Sequence, residues 1–181
     1  MRQKKIWLTL LTAVVLTAAC TPRNTPSSRK TTTADTVLTQ AFIHRYGQHY
    51  KKIPCQVMSI DLYSEGLTRG EGDTLRGTGT NLYFSDVFLD TQAAILPAAE
   101  YRLDTTAAPG TALPAREYEG LVTGTTLVQV QDGSTVSISM FESGGFRLHY
   151  EGDTAVMEIH LETSDRRHYD GTYRGVPHYE P

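Results

Sequence analysis

The feature that most constrains this chain is a two-residue alternation of apolar and polar side chains through its C-terminal third. A strand directs successive side chains to opposite faces of a sheet, so this period predicts β-strands with one buried face. Because a shift of one residue would expose the whole apolar set, the pattern also specifies the pairing. The predicted apolar face consists of Val136, Ile138, Met140, Phe146, Leu148, Tyr150, Met157, Ile159 and Leu161.

Glycines in short polar segments of the same third predict tight turns between antiparallel strands. The predicted turns are a three-residue loop at residues 131–133, a turn at Ser143 and Gly144, and a two-residue turn at Gly152 and Asp153. Because each turn joins neighbours, the strands should follow one another as a meander. The predicted pairs are residues 127–130 with 135–140, 136–140 with 146–150, 146–150 with 155–159, and 157–161 with 169–173.

Two longer strands are predicted upstream. Residues 56–64 carry apolar side chains at alternate positions, which indicates one buried face. Residues 81–90 carry apolar side chains on both faces, which is typical of a strand covered on both sides. The simple alternation there places Leu82, Phe84 and Phe88 on the same face.

The pattern as a whole predicts an all-β domain over residues 37–181. Residues 42–46 fit either a strand or one face of a helix, and we prefer the strand. Residues 64–80 contain five glycines and are predicted as a mobile loop at one rim. A meander of about nine or ten strands curls into a barrel or splits into two sheets. We expect a single antiparallel up-and-down barrel of the calycin (lipocalin-like) type, with a two-sheet β-sandwich as the alternative.

The N-terminus has the three parts of a secretory signal. Arg2, Lys4 and Lys5 precede an apolar run over residues 6–16, and small residues follow at 17–19. The apolar run is about eleven residues, too short to cross the roughly 30 Å hydrocarbon core of a bilayer as a helix. We therefore expect residues 1–19 to act as a signal peptide.

The letters LTAAC at residues 16–20 resemble the lipobox of bacterial lipoproteins. The resemblance implies cleavage before Cys20, a diacylglyceryl group on its thiol and acylation of the new amino terminus. Several acyl chains give stable membrane anchoring. Residues 20–36 then comprise the lipidated cysteine and a polar segment that should be a disordered tether, because it has few apolar side chains to bury.

The residue after the lipidated cysteine bears on the membrane. In enteric-type sorting an aspartate there retains a lipoprotein at the inner membrane, and here the residue is Thr21. Surface export in some lineages uses an acidic cluster, which does not follow Cys20. By resemblance, this implies anchoring in the outer membrane, at its periplasmic face.

Motifs along the domain resemble a group of lipid-anchored, all-β bacterial lipoproteins that have no assigned activity. The resemblance implies a fold and a location, and it supplies no catalytic residues. The motifs are Tyr46-Gly47, Asp61-Leu62-Tyr63-Ser64, the segment from Pro97 to Leu103, Ala108-Pro109-Gly110-Thr111, and the segment from Asp170 to Gly175.

The net charge argues against one class of function, and the cysteine count indicates the role of Cys55. From Val37 onward the chain has eleven Lys and Arg against nineteen Asp and Glu, a net charge of −8. An acidic domain repels phosphate backbones, so we expect no nucleic-acid binding. If Cys20 carries lipid, Cys55 is the only other cysteine and should be a buried structural residue.

The sequence offers no strong pattern for catalysis, a metal or a cofactor. No zincin spacing, nucleophile elbow or phosphate loop is present. His149, Glu158 and His160 fall on the polar face of the predicted sheet and would be the candidates for a metal or acid–base site. The interpretation we prefer is a solvated sheet face, with Arg147 and Glu158 forming a cross-strand ion pair.

Binding is therefore the expected activity, in a non-enzymatic domain that takes a small ligand or a protein partner. A barrel interior could hold a small apolar ligand. Alternatively, Tyr46, Tyr50, Tyr63 and Tyr83 could form an exposed platform for a glycan or an envelope protein, or they could simply be half-buried packing. Two other functions stay open, namely a hydrolase acting on envelope material and a structural subunit of an envelope assembly.

Overall fold

A computed structural model of the protein describes residues 35–90 and 93–181. The predicted signal peptide, Cys20 and the predicted tether up to residue 34 lie outside these residues. The described chain is all-β, as predicted, with one short 3₁₀ turn at Glu71–Asp73 and no α-helix among the described residues. No helix in this part of the chain has the length and apolar character needed to cross a membrane.

Ten strands form one large mixed sheet, and two hairpins form small sheets of their own. The hairpins are β3–β4 and β8–β9. The strands are β1 (Thr36–Gly47), β2 (Gln56–Ser64), β3 (Leu67–Arg69), β4 (Leu75–Gly77), β5 (Gly79–Leu89), β6 (Ala99–Leu103), β7 (Thr111–Ala112), β8 (Arg116–Tyr118), β9 (Leu121–Thr123), β10 (Thr126–Gln131), β11 (Ser134–Glu151), β12 (Thr154–Thr163), β13 (His168–Gly175) and β14 (His178–Glu180).

Hydrogen-bonded pairs link seven strands into a ring in the order β1, β2, β5, β10, β11, β12, β13 and back to β1. The ring is uneven, because β10 fills only part of the gap between β5 and β11 and the short strands β7 and β6 fill the rest. Six of the seven contacts are antiparallel. A ring with an odd number of alternating strands must contain a parallel contact, and here β1 runs parallel to β13. The prediction of a wholly antiparallel meander is therefore wrong.

Strand β11 is continuous through the point where a turn was predicted. It pairs with β10 through its first half and with β12 through its second half, so the predicted turn at Ser143 and Gly144 is wrong. A Cβ atom at Gly144 would overlap the carbonyl oxygen of His160, and one at Gly145 would overlap that of Tyr101. These glycines allow close approach of the neighbouring strands instead of a turn.

The continuous course of β11 also changes which side chains are buried. Val136 and Ile138 belong to the half of β11 that pairs with β10, and their side chains are 57% and 50% exposed. They do not lie opposite Tyr150 and Leu148, as the sequence pattern suggested, because those residues pair with β12. The first two members of the predicted apolar face are thus on the surface.

The remaining C-terminal pairings are confirmed. Phe146 lies opposite Ile159, and Leu148 opposite Met157. The hairpin of β10 and β11 is also confirmed, but its turn has two residues instead of three, Asp132 and Gly133 with φ of 51° and 77°. Two positive φ values are typical of a type I′ turn, which matches the twist of a hairpin.

The upstream predictions have mixed outcomes. The strand prediction for residues 42–46 is confirmed within β1, and β2 covers the predicted residues. In β5 the pairing with β2 shifts between Phe84 and Val87, so Phe88 lies on the opposite face from Leu82. Residues 64–80 were predicted as a loop, but they contain the β3–β4 hairpin.

The interior of the ring is filled by large side chains. Phe84, Tyr101 and Phe146 are at most 3% exposed, and the rings of Tyr101 and Phe146 stack at 4.6 Å between centroids. Leu96 is fully buried in the same cluster. The Tyr150 hydroxyl donates a hydrogen bond to the Leu96 carbonyl at 2.8 Å. Because packed aromatic side chains occupy the interior, the outer faces of the strands are the surfaces open to a ligand.

The close approach at Gly145 predicts a stability effect. We expect Gly145→Ala to lower the free energy of unfolding by about 3 kcal/mol, because the added methyl group must displace the Tyr101 backbone. Gly152→Ala is the control, since a Cβ at Gly152 meets open space and only its φ of 64° is unfavourable, costing about 1 kcal/mol. Denaturant unfolding of both variants measures the difference. Equal losses of unfolding free energy in the two variants would contradict the close approach of the strands at Gly145.

Candidate functional site

A groove crosses the outer face of the large sheet, and we call it the tyrosine groove. It consists of two hollows of about 410 Å³ and about 260 Å³, which share Tyr46 and Tyr83. The β3–β4 hairpin borders the first hollow, and the β8–β9 hairpin borders the second. The first hollow is further lined by His44, Ser59, Asp61, Tyr63, Asn81 and Thr126, and the second by His49, Ser85 and Asp86.

The register of the sheet brings these side chains together. Asp61 of β2 lies opposite Tyr83 of β5, and Tyr83 lies opposite Thr126 of β10. Ser59 of β2 lies opposite His44 of β1. Alternate residues of β2 turn inwards, including Ile60 and Leu62 of the main core, so Ser59, Asp61 and Tyr63 face the groove.

Ser59 lies at the bottom of the groove between the two shared tyrosines. It is fully buried, and its Oγ lies 3.4 Å from the Tyr46 hydroxyl. Burial, together with the nearby Tyr46, raises the pKa of Tyr83 to about 12, and a hydrogen bond with Ser59 opposes this rise. Tyr83 therefore keeps a neutral hydroxyl that can donate and accept hydrogen bonds near Ser59.

Asp61 supplies a partly desolvated carboxylate in the first hollow. Burial raises the pKa of Asp61, and the hydrogen bond from Asn81 and the nearby charges of His44 and Arg69 oppose this rise. The Asn81 side-chain amide donates to Asp61 Oδ1 at 3.1 Å. This contact orients Asp61 as a hydrogen-bond acceptor at the floor of the hollow.

An ion-pair cluster forms one side of the first hollow. Glu180 Oε2 accepts from Arg69 Nη1 at 2.8 Å and lies 2.9 Å from His44 Nε2. The hydrogen bond from Arg69 is the main reason that the pKa of Glu180 is lowered. The cluster joins β1, β3 and β14, so it holds the β3–β4 hairpin against the sheet. Within it, the Glu180 carboxylate pairs with the two cationic candidates of the first hollow, Arg69 and His44.

The second hollow is smaller and is lined by aromatic rings and one carboxylate. The ring of His49 lies between Tyr46 and Tyr50, at 5.9 Å and 4.9 Å between centroids. The Tyr50 hydroxyl donates to Asp86 Oδ2 at 3.3 Å. Burial raises the pKa of Tyr50, with Asp86 adding to the rise.

The four tyrosines singled out from the sequence lie near one another but do not form one flat platform. Tyr46 is 48% exposed and Tyr83 is half-buried, and both belong to both hollows. Tyr63 borders the first hollow but is only 3% exposed. Tyr50 packs against Phe88 beside the second hollow.

Sequence reasoning missed the polar floor of the groove. Ser59, Asp61 and Asn81 are buried or half-buried polar residues within strands. The signal was present, because Ser59 and Asp61 occupy alternate positions of a strand whose other face is apolar. That pattern also fits a solvated face, and only the neighbouring hairpins and strands cover it.

The histidine candidates lie outside the tyrosine groove: Glu158 and His160 line a separate hollow of about 560 Å³, and His149 is not part of its lining. His160 Nδ1 lies 2.7 Å from Asp170 Oδ1, and His149 Nε2 lies 3.7 Å from Glu151. Glu158 lies opposite Arg147, as the sequence predicted. In residues 35–90 and 93–181, no group of three or more His, Cys, Asp or Glu side chains is arranged to hold a metal ion.

Cys55 is buried beside Val57 and Phe88 and is a free thiol. Burial raises the pKa of this thiol, with Asp90 adding to the rise. A raised pKa reduces the thiolate fraction and hence the reactivity of the side chain. The structural role predicted for Cys55 agrees with this environment.

Comparison with protein-family models, curated proteins and solved structures finds no match for this chain. The groove itself indicates what the domain can do. It combines neutral hydroxyl groups, one partly desolvated carboxylate and two accessible aromatic rings, which is a set suited to binding.

Asp61 predicts a pH-dependent difference in stability. Because its pKa in the folded state lies above the ordinary 3.8, its contribution to stability is complete at low pH and is lost as the pH rises through the folded-state pKa. Asp61→Asn lacks this titration. We expect the free energy of unfolding of Asp61→Asn, minus that of the wild type, to increase as the pH rises from 3.8 towards neutrality.

Asp104→Asn is the matched control for this measurement. Asp104 is fully exposed and its pKa is lowered, chiefly by the backbone hydrogen bond from Thr106, so its stabilising contribution is lost as the pH falls. The free energy of unfolding of Asp104→Asn, minus that of the wild type, should therefore decrease as the pH rises. Parallel stability curves for the wild type and Asp61→Asn would contradict the burial of the Asp61 carboxylate.

Proposed function

We propose that this protein is a lipid-anchored envelope lipoprotein whose β domain is a non-enzymatic binding module. The main support for the proposal is the tyrosine groove, where Tyr46 and Tyr83 lie beside Ser59 and Asp61. Ligand sites are concave surfaces with aromatic walls and a few oriented polar groups, and the groove has this composition.

We further propose that the large sheet is a variant of the calycin-like barrel. The closed ring of hydrogen-bonded pairs supports a barrel over a two-sheet sandwich. Members with an open interior carry small apolar ligands inside the barrel. Here Phe84, Tyr101 and Phe146 fill the interior, which favours binding on the outer face instead.

The proposed location follows from the N-terminal sequence. The signal pattern, the lipobox-like ending at Cys20 and Thr21 after it support acylation and anchoring in the outer membrane, facing the periplasm. The acidic charge of the remaining chain argues against binding to nucleic acid. The groove would then meet ligands or proteins of the envelope.

The anchor is tested by metabolic labelling of the full-length protein with palmitate in a bacterial host. We expect the wild type to incorporate the label and Cys20→Ser to lose it completely, because the thiol is the attachment point. Cys55→Ser is the control and should keep the label, since Cys55 is buried in the folded domain. Labelling of Cys20→Ser at the wild-type level would rule out this anchor.

Binding at the groove is tested by thermal unfolding of the full-length lipoprotein with and without a detergent extract of the host envelope. A ligand at about a hundred times its Kd stabilises the native state by roughly 2.7 kcal/mol, so Tm should rise. The rise should disappear in Tyr46→Ala and persist in Val176→Ala, which alters an exposed side chain outside both hollows and both hairpins. An equal rise in both variants would place binding elsewhere, and no rise in the wild type would refute the binding function.

A further inference from the structure

We propose that the tyrosine groove binds a neutral oligosaccharide, with sugar rings in the two hollows on either side of Tyr46 and Tyr83. This inference rests on the proposed binding function and specifies its ligand class. It is drawn from three properties of the groove: its polar floor, its charge and the hydrogen-bonding state of the strands beneath it.

The floor and walls match the two kinds of surface that a pyranose ring presents. Asp61 and Tyr46 offer a carboxylate and a hydroxyl group to a ligand, and the buried side chains of Asn81 and Ser59 hold these two groups from below. Sugar hydroxyls both donate and accept, so they suit a mixed set of this kind. The aromatic faces of Tyr46 and Tyr83 can cover the apolar C–H face of a ring while their hydroxyls keep polar contacts.

The charge of the groove disfavours an anionic ligand. Arg69 and His44 are the cationic candidates of the first hollow, and both face Glu180 Oε2 at 2.8 Å and 2.9 Å. Asp61 in the first hollow and Asp86 in the second add negative charge. In the first hollow a phosphate or carboxylate would therefore meet repulsion from Asp61 while both cationic groups are engaged by Glu180, whereas a neutral polyol would not.

The backbone beneath the groove disfavours an extended peptide added as a strand. That mode of recognition needs a free sheet edge that offers unpaired N–H and C=O groups. Beneath the first hollow each strand has hydrogen-bonded neighbours on both sides: β1 pairs with β2 and β14, β2 with β1 and β5, and β5 with β2 and β10. Recognition here must use side chains, as sugar binding does.

The two hollows indicate the length of the ligand. They lie on either side of the shared tyrosines, with the β3–β4 hairpin at one end and the β8–β9 hairpin at the other. One sugar ring would occupy only one hollow. An oligosaccharide of two or more rings can contact both hollows and place its linkage beside Tyr46 and Tyr83.

The test is isothermal titration calorimetry of the full-length lipoprotein, purified in detergent. The ligands are four neutral tetrasaccharides, each built from a single sugar: glucose, mannose, galactose or N-acetylglucosamine. We expect at least one tetrasaccharide to bind about tenfold more tightly than its monosaccharide, because it reaches both hollows. Tyr46→Ala should weaken this binding by about tenfold or more, and Asp61→Asn should weaken it as well. Val176→Ala alters an exposed side chain outside both hollows and both hairpins, and it should bind like the wild type.

Three outcomes would overturn the inference: no tetrasaccharide binds at millimolar concentration, tetrasaccharide and monosaccharide bind equally, or Tyr46→Ala binds like the wild type. Its failure is distinguishable from failure of the proposed function through the thermal unfolding measurement. If the envelope extract raises Tm through Tyr46 and protease treatment of the extract removes the effect, the groove binds a protein and the oligosaccharide inference falls alone. If the effect survives protease but is removed by periodate, which cleaves vicinal diols, the inference is supported.

Discussion

The parallel contact between β1 and β13 is the constraint on which the rest of the structure depends. It joins Thr36, Val37 and Leu38 to residues near the other end of the chain, Gly171, Thr172 and Tyr173. Without this contact the sheet would have two open edges, which are prone to association with other chains. With it, the inward-facing side chains of seven strands share a single core, so Leu38 and Tyr173 are both buried in the same cluster as Phe84.

Closure of the ring also determines where a ligand can bind. The apolar side chains that the sequence distributes over many strands are used up in filling the interior, and Leu96 occupies part of that core through hydrogen bonds with Tyr150 and Tyr179. The outer face of β1, β2 and β5 is then one of the concave surfaces that stay accessible, since a hairpin borders it at each end. A filled interior and an outer groove are therefore two consequences of the same packing.

Electrostatics within the groove follow from partial burial. Desolvation raises the pKa values of Asp61 and Tyr83, and the neighbouring hydrogen bonds from Asn81 and Ser59 only partly offset it. The pKa of Glu180 shifts in the opposite direction, because its contact with Arg69 lowers it. The groove thus combines neutral hydroxyls and an oriented acceptor with a charge cluster at one wall that is internally paired.

The amino-acid pattern was sufficient to predict the fold class and most of the local pairings in the C-terminal third. Alternation and short turns fix hairpins such as Phe146 with Ile159, because both depend on residues close together in the chain. Tertiary structure alone decided the parallel contact of β1 with β13, the unbroken course of β11 through Gly144 and Gly145, and the turning of Phe88 away from Leu82. Each of these depends on distant strands meeting. The groove also depends on strands that are distant in sequence. Its tyrosines could be singled out from the sequence, but the convergence of Ser59, Asp61 and Asn81 required the register of three strands and the hairpins that cover them.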